Sequence, residues 1–176
     1  LRETVPAAPA EASKIESLEH ADSPRQRGLV AVEGSPSPSP LALPGLDGAR
    51  HDLAVLQGKV VLVNFWASWC PPCVHEMPSM QQLWTDWRGD GLEILAVNLG
   101  EKEVAMRDFV ARYQFGFPIL LDPAREAATA WRIYAYPTSF LVDRQGRVRL
   151  AVAGGVDWNE PGVRASIRTL LDEPGR

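Results

Sequence analysis

The feature that most constrains the fold is an apolar run, Val60 to Phe65, that leads directly into a segment with helical spacing. The run has one polar residue and half of its residues are β-branched, which is typical of a strand buried on both faces of a parallel sheet. After it, apolar residues recur every three or four positions from Val74 to Trp87, and Gly89 follows. This spacing predicts a helix that ends near Gly89. The two segments together predict a strand-helix unit of an α/β protein.

The alternation of strands and helices continues to the end of the chain. Further strands are predicted over residues 92–99, 118–122, 138–143 and 147–154, and further helices over residues 101–113, 123–131 and 161–171. Pro123 is expected in the first turn of its helix. The turn signals Asp47-Gly48 and DRQG predict a hairpin before the first buried strand and another between the last two strands. This order predicts an α/β fold in which a central mixed β-sheet is flanked by helices.

Residues 1–40 differ in composition from the rest of the chain. The segment VPAAPAEAS lies near their start and GSPSPSP near their end. Sequences rich in proline, alanine and serine bury little apolar surface and tend to be extended. We therefore predict a linker or tether over residues 1–40 and a single domain over residues 41–176.

The overall composition argues against two classes of protein. The net charge is −4, whereas a nucleic-acid-binding protein usually has a basic surface. No run of about 18 apolar residues occurs that would span a membrane. The first residue is Leu1 rather than methionine, so we expect a processed chain whose signal peptide or membrane anchor is not included.

Both cysteines of the 176-residue chain lie in the stretch WCPPC, as Cys70 and Cys73. Cys70 falls where the buried strand ends and the helix begins, and the free N–H groups and dipole of a helix start favour a thiolate. Cys73 lies one turn later, close enough to form a small disulfide ring. A ring this short at an exposed helix start restrains the unfolded chain little. The spacing therefore favours a redox pair over a structural bridge, and two cysteines are too few for a closed zinc site.

Position in the helix suggests a role for each residue of this stretch. We expect Cys70 to attack a substrate disulfide as the thiolate, and Cys73, which lies deeper, to resolve the mixed disulfide. Pro71 and Pro72 have no N–H group and so withhold hydrogen bonds from the Cys70 thiolate. Fewer donors stabilise the reduced form less, which predicts a more reducing couple.

The stretch NFWASWCPPC resembles the active-site segment of thioredoxins, which carry a Trp-Ala-x-Trp-Cys-x-Pro-Cys pattern. The matching residues are Trp66, Ala67, Trp69, Cys70, Pro72 and Cys73. Pro78 matches the helix-kinking proline of that family, and Tyr136-Pro137-Thr138 matches its cis-proline loop. The resemblance covers about residues 41–174 and implies a thioredoxin-like fold.

Within that superfamily the chain resembles the ResA/TlpA/CcmG-like branch. The stretches CPPCVHEMP, AVNLGE, FPILLD and YPTSFLVDRQG carry this resemblance. The strand-helix unit between the motif helix and Pro137 corresponds to the usual insertion of the branch. The CcmG group usually has Gly-Val-Tyr-Gly-Ala-Pro-Glu around its proline, whereas this chain has WRIYAYPT. That difference weakens the case for a role restricted to cytochromes.

The resemblance implies an extracytoplasmic thiol-disulfide oxidoreductase, either in the periplasm or membrane-anchored and facing it. It further implies that the protein reduces disulfides of partner proteins, in cytochrome c maturation or a related reductive pathway. A membrane thiol donor would recharge the pair. We expect a monomer without cofactor, metal or nucleic-acid partner.

An amide and an acid near the cysteines distinguish this chain from thioredoxins, which bury an aspartate behind the pair. The chain has Asn64 at that place. Glu76, one helical turn beyond Cys73, matches a glutamate that lines the active-site region in the ResA-like branch. We expect Glu76 to move protons during resolution by Cys73, with a pKa raised by desolvation and like charge. The alternative is a solvated helix glutamate that makes only a dipole contact.

Aromatic residues complete the predicted site. Trp66 and Trp69 are expected to form walls of the active site. The backbone of Tyr136, beside Pro137, is expected to pair with an extended substrate peptide. His75 is expected to point to solvent.

Two other functions remain open at the level of sequence. A disulfide-forming oxidase would use the same fold, and its reduction potential would distinguish it from a reductase. A copper-handling module would use Cys70, Cys73 and His75, which form a weak ligand set. A peroxidase is disfavoured, because the Pro-x-x-x-Thr-x-x-Cys pattern of a peroxidatic cysteine is absent.

Overall fold

The strand predicted from the apolar run, β4 (Val60–Trp66), lies inside the sheet and is buried along its whole length. It is seen in a computed structural model that describes residues 28–175. β4 pairs in parallel with β5 (Leu92–Leu99) and antiparallel with β7 (Thr138–Val142). A strand between a parallel and an antiparallel neighbour makes the sheet mixed, as predicted.

Further elements surround these three strands. The other strands are β1 (Val30–Ala31), β2 (Ala42–Pro44), β3 (Arg50–Asp52), β6 (Ile119–Asp122) and β8 (Val148–Ala153). The α-helices are α1 (Pro71–Trp87), α2 (Glu103–Tyr113), α3 (Glu126–Ala130) and α4 (Pro161–Asp172), with 3₁₀ turns at Leu53–Leu56 and Arg88–Asp90. The main sheet has the order β1-β8-β7-β4-β5-β6, and β2 and β3 form the predicted hairpin. The α/β fold with a mixed sheet flanked by helices is confirmed. Within residues 28–175, no helix has the length and apolar character needed to cross a bilayer.

Successive residues of β4 face two different layers of the core. Residues 60, 62 and 66 pack with apolar side chains of α1 and α4, whereas residues 61, 63 and 65 pack with those of α3. Side chains of a strand alternate between its two faces. Asn64 therefore faces the layer that contains α1, the helix that carries Cys73.

The predicted linker boundary at residue 40 is wrong for the last part of that segment. Val30 pairs with Ala151 of β8, so β1 forms an edge of the main sheet. The backbone N–H of Val148 also donates to the carbonyl of Pro36 (2.9 Å). These contacts use backbone groups, which any residue type supplies, and composition therefore did not reveal them. Residues 1–27 lie outside the described residues, and a linker there stays a prediction.

The helix predicted to start at Pro123 begins three residues later, at Glu126. Arg125 has a left-handed backbone conformation (φ 57°), which separates Pro123 from the helix. The buried carboxylate of Asp122 accepts hydrogen bonds from the backbone N–H groups of Ala127 (3.2 Å) and Ala128 (3.0 Å). Asp122 thus binds free N–H groups of the helix start. The spacing of residues in the sequence did not predict this role for Asp122.

Candidate active site

Cys70 and Cys73 meet where β4 leads into α1. They form a disulfide with Cα atoms 5.3 Å apart, within the usual range for such bonds. Cys70 is the N-cap residue of α1 and has an extended backbone, and Cys73 lies in the first turn. Cys70 is 5% exposed and Cys73 is 0% exposed. The helix start is therefore less open than the sequence suggested, and Cys70 is the more accessible residue of the pair.

Pro71 and Pro72 occupy the first two positions of α1. An N-cap side chain normally accepts a hydrogen bond from the backbone N–H at the second or third helical position. Pro72 at the second position has no N–H, so only Cys73 at the third position carries such a donor. A thiolate at Cys70 consequently has fewer backbone donors within reach than most helix starts provide.

The carboxyl group of Glu76 is buried one turn beyond Cys73, and the residue is 2% exposed. Its Oε1 accepts a hydrogen bond from Nδ2 of Asn64 on β4 (2.7 Å). Its Oε2 accepts one from the backbone N–H of Val156, in the loop after β8 (2.9 Å). The alternative of a solvated glutamate is wrong. Glu76 is an internal acid that links α1 to β4 and to this loop.

Burial raises the pKa of Glu76 from its ordinary value of 4.5 to about 7. Desolvation is the largest cause, and the hydrogen bonds from Val156 and Asn64 oppose it because they stabilise the ionised form. Among the residues that the structure describes, no Lys, Arg or His forms an ion pair with this carboxyl group. A carboxyl group with a pKa near 7 takes up and releases its proton at neutral pH, as a general acid-base group must.

Glu101 holds the turn that precedes Cys70, and sequence reasoning missed it. Its carboxylate accepts hydrogen bonds from the backbone N–H of Ser68 (2.9 Å), from the Ser68 hydroxyl and from Nδ2 of Asn98 (2.6 Å). The turn is therefore anchored to the carboxyl end of β5. The stretch AVNLGE contains both Asn98 and Glu101, but the sequence alone gave no sign that they reach Ser68.

Trp69 and Tyr136 come together at the surface beside the cysteines. Trp69 is 58% exposed, and its ring meets that of Tyr136 edge-on with centroids 5.7 Å apart. The peptide bond between Tyr136 and Pro137 is cis, as the resemblance implied. The carbonyl of Pro137 accepts a hydrogen bond from Gly154 (2.8 Å), whereas within residues 28–175 the Tyr136 backbone forms no backbone hydrogen bond. The backbone of Tyr136 is thus available to an external strand.

Trp66 and His75 occupy opposite environments. Trp66 is fully buried in the core cluster that also contains both cysteines, and its ring packs on Phe109 with centroids 5.1 Å apart. It therefore supports the site from beneath and does not form a wall of it. His75 is exposed on α1, as expected. In the described part of the chain, no group of three or more His, Cys, Asp or Glu side chains is arranged to hold a metal ion.

Comparisons with known proteins agree with this geometry. A family profile described as the AhpC/TSA family matches residues 34–151. The thiol-disulfide oxidoreductase ResA of Geobacillus kaustophilus is 39% identical over 129 residues, which are 73% of each chain. ResA of Bacillus subtilis is 38% identical over 122 residues, 69% of this chain and 68% of that one. A crystal structure named as the thiol:disulfide interchange protein DsbE of Chlorobium tepidum has a TM-score of 0.74 at 31% identity, covering 80% of this chain and 99% of that chain.

The fold and the cysteine pair define a thioredoxin-like thiol-disulfide oxidoreductase. The chain belongs to the AhpC/TSA family and, within it, to the ResA-like proteins. The predicted superfamily is therefore confirmed. The roles of individual residues are not tested by these comparisons and stay predictions.

Replacement of Glu76 by Gln is expected to change how stability depends on pH. The folded protein binds the Glu76 proton more tightly than the unfolded chain, so the free energy of unfolding falls as pH rises from 4.5 to about 7. Glu76→Gln should not show this fall in the free energy of unfolding, because the glutamine side chain does not titrate. Urea unfolding of the oxidised proteins should show wild type losing about 3 kcal/mol relative to Glu76→Gln across that window, at about 1.4 kcal/mol per pKa unit.

The exposed Glu103 provides the control for this experiment. Glu103→Gln should show the same fall in stability between pH 4.5 and about 7 as wild type, because it retains the buried Glu76. A constant difference between wild type and Glu76→Gln from pH 4 to 8 would contradict the raised pKa of Glu76.

Replacement of Glu101 by Gln is expected to destabilise the turn before Cys70. The amide is neutral and has one acceptor oxygen where the carboxylate has two, so each donor of Ser68 and Asn98 loses its charged partner and at least one of them loses its acceptor. We expect a loss of about 1–3 kcal/mol in urea unfolding. The matched variant Glu103→Gln removes a surface pair with Arg107 and should cost about 0–1 kcal/mol. Equal losses in the two variants would argue against an anchoring role for Glu101.

Proposed function

We propose that this protein reduces disulfides of partner proteins, with Cys70 as the nucleophile and Cys73 as the resolving residue. The observation that carries the proposal is the position of the pair: Cys70 is the N-cap of α1 and the more accessible residue, and a buried acid lies one turn beyond Cys73. The dipole of a helix start favours the thiolate form of Cys70. Membership of the ResA-like proteins supports the same chemistry.

The reaction proceeds by two exchanges of disulfide bonds. The Cys70 thiolate attacks one sulfur of the substrate disulfide, forms a mixed disulfide and releases the other substrate sulfur as a thiolate. Cys73 then loses its proton and attacks the Cys70 sulfur, which releases the second substrate thiolate. Two electrons pass from the dithiol to the substrate, and the product is the Cys70–Cys73 disulfide seen in the structure.

Glu76 is proposed as the group that exchanges protons with Cys73 in the second step. Cys73 is fully buried, so bulk water does not reach its thiol directly. Glu76 is the acid one turn away, and its pKa of about 7 lets it accept the thiol proton and release it again near neutral pH. In the reverse reaction it returns that proton as the Cys70–Cys73 disulfide is reduced.

The surface formed by Trp69, Tyr136 and Pro137 is proposed to bind the substrate. The free backbone of Tyr136 would pair with an extended peptide that contains the disulfide, as in strand addition to a sheet edge. The exposed ring of Trp69 would cover an apolar side chain of that peptide. This arrangement favours an unfolded or loop segment over a disulfide buried in a rigid domain.

We further propose that the protein works outside the cytoplasm, in cytochrome c maturation or a related reductive pathway. It would act as a monomer and be recharged by a membrane thiol donor, whose dithiol becomes a disulfide as the Cys70–Cys73 bond is reduced. The names of the relatives, thiol-disulfide oxidoreductase and thiol:disulfide interchange protein, support the chemistry of this proposal. A disulfide-forming oxidase is the alternative, and a measured reduction potential separates the two directions.

Trapping of substrates tests the proposed roles of the cysteines. Cys73→Ala should hold partner proteins on Cys70 as mixed disulfides, because the resolving thiol is absent. Cys70→Ala is the matched control and should trap few partners or none, since the remaining thiol is fully buried. Non-reducing electrophoresis followed by mass spectrometry identifies the adducts. Equal trapping by both variants would refute the assignment of nucleophile and resolving residue.

Restoration of a backbone N–H at position 72 is expected to make the protein more oxidising. Pro72→Ala returns the donor at the second position of α1, and a hydrogen bond to the Cys70 thiolate stabilises the reduced form. Equilibration with glutathione should show a rise in reduction potential of about 30 mV, which corresponds to about 1.4 kcal/mol. Pro71→Ala restores a donor at the first position and should raise the potential less. A potential that falls or stays constant in Pro72→Ala would contradict the role of the prolines.

A further inference from the structure

Asn64, Glu76 and Ser139 form a buried polar cluster in an otherwise apolar layer. Asn64 and Ser139 are 0% exposed. They lie directly opposite each other on β4 and β7, where side chains of a cross-strand pair point to the same face. The amide Nδ2 of Asn64 donates to Oε1 of Glu76 (2.7 Å) and to Oγ of Ser139 (2.8 Å).

The two donated hydrogen bonds determine how the Asn64 amide is oriented. Its Oδ1 is buried and has no partner in the described part of the chain. An amide that turned round would place Oδ1 against the carboxylate of Glu76, where two acceptors repel each other. The Asn64 amide therefore keeps its orientation because one Nδ2 hydrogen bonds to the Glu76 carboxylate and the other bonds to the Ser139 hydroxyl.

Few groups around Glu76 can influence the ionisation of its carboxyl group. On its own helix Cys73 lies one turn earlier and is held in the disulfide, and the neighbouring His75 is exposed. β4 contributes Asn64, β7 contributes Ser139, and the loop after β8 contributes the N–H of Val156 and the indole of Trp158. None of these four groups carries a charge. Hydrogen bonds from neutral groups therefore counteract the rise in the pKa of Glu76 that desolvation causes.

We propose that Ser139 and Asn64 are positioning residues that act in series, Ser139 holding the Asn64 amide so that its N–H stabilises the ionised form of Glu76. Ser139 forms no hydrogen bond with Glu76, so its influence passes through Asn64. Ser139 also follows the cis-proline Pro137 by two residues on the strand whose start borders the Trp69–Tyr136 surface. The strand end proposed to bind substrate and the internal acid are therefore joined by this pair of hydrogen bonds. The inference rests on the proposed proton exchange by Glu76 only for its effect on rate.

The proton affinity of Glu76 is measured directly in the oxidised protein, where the cysteines do not titrate. Carbon-13 labelling of glutamate carboxyl groups and NMR give the midpoint. Asn64→Ala should raise it by about one pH unit, a tenfold tighter binding of the proton. Ser139→Ala should raise it by about half a unit, roughly threefold. In the Asn64→Ala background, Ser139→Ala should add nothing, because the residue through which it acts is gone.

Two further variants separate positioning from general structural damage. Ser139→Thr keeps a hydroxyl and should keep the midpoint near that of wild type. Thr138→Val, one residue before Ser139 on β7, removes a hydroxyl that donates to the carbonyl of Ala135 in the preceding loop (2.7 Å) and should not move the midpoint. The comparison of Ser139→Ala with Ser139→Thr decides the matter even where Asn64→Ala does not fold. An unchanged midpoint in Ser139→Ala, or additive shifts in the double variant, would overturn the proposal.

The same variants separate this inference from the proposed function. Where Glu76 exchanges protons in the reaction, the pH profile for reduction of a disulfide peptide moves in Ser139→Ala by the shift that NMR measures. A profile that stays in place while the NMR midpoint moves would refute proton exchange by Glu76 and leave the positioning by Ser139 intact. A midpoint that stays in place would refute the positioning, whatever the profile does.

Discussion

The burial of one carboxyl group is the constraint on which the rest of the active site depends. Glu76 lies on the helix that carries Cys73, and its two oxygens accept hydrogen bonds from Asn64 on β4 and from Val156 after β8. An ionised group in an apolar layer is costly, and its neutral hydrogen-bond donors offset only part of that cost, so the pKa of Glu76 remains near 7. The contacts that fix α1 against the sheet thus also keep an acid with a pKa of about 7 one turn from the disulfide.

The cysteine pair is placed by a second set of contacts on the other side of the helix start. Pro71 and Pro72 fix the backbone of the first turn and remove its donors, while Glu101 anchors the preceding turn through Ser68. Cys70 is thereby held at the boundary between the core and the exposed ring of Trp69. Cys70 is slightly exposed and Cys73 is fully buried, an asymmetry that suits the proposed attacking and resolving thiols.

Sequence reasoning succeeded where local pattern and burial agree. The run that became β4 and the spacing that became α1 predicted both elements closely, because a strand buried on both faces and an amphipathic helix have distinct apolar periods. It failed where a contact joins residues far apart in sequence. β1 was assigned to a linker because its pairing with β8 uses backbone groups, and Glu101 and Ser139 were missed because their partners, Ser68 and Asn64, lie on other elements. The helix expected at Pro123 begins later for a local reason, because Arg125 has a left-handed backbone conformation and Asp122 accepts hydrogen bonds from the first turn that starts at Glu126.

By itself the sequence determined the class of fold, the redox pair and its position at a strand-to-helix junction, because these depend on residue type and spacing along a short stretch. It also pointed to Glu76, through the match to a glutamate of the ResA-like branch and through Asn64, which stands where thioredoxins bury an aspartate. Only the tertiary structure decided that Glu76 is buried and that desolvation is what raises its pKa. The tertiary structure also decided that the Asn64 amide donates hydrogen bonds to both Glu76 and Ser139. Burial and the direction of a hydrogen bond are properties of packed elements, and they exist only once β4, β7 and α1 have come together.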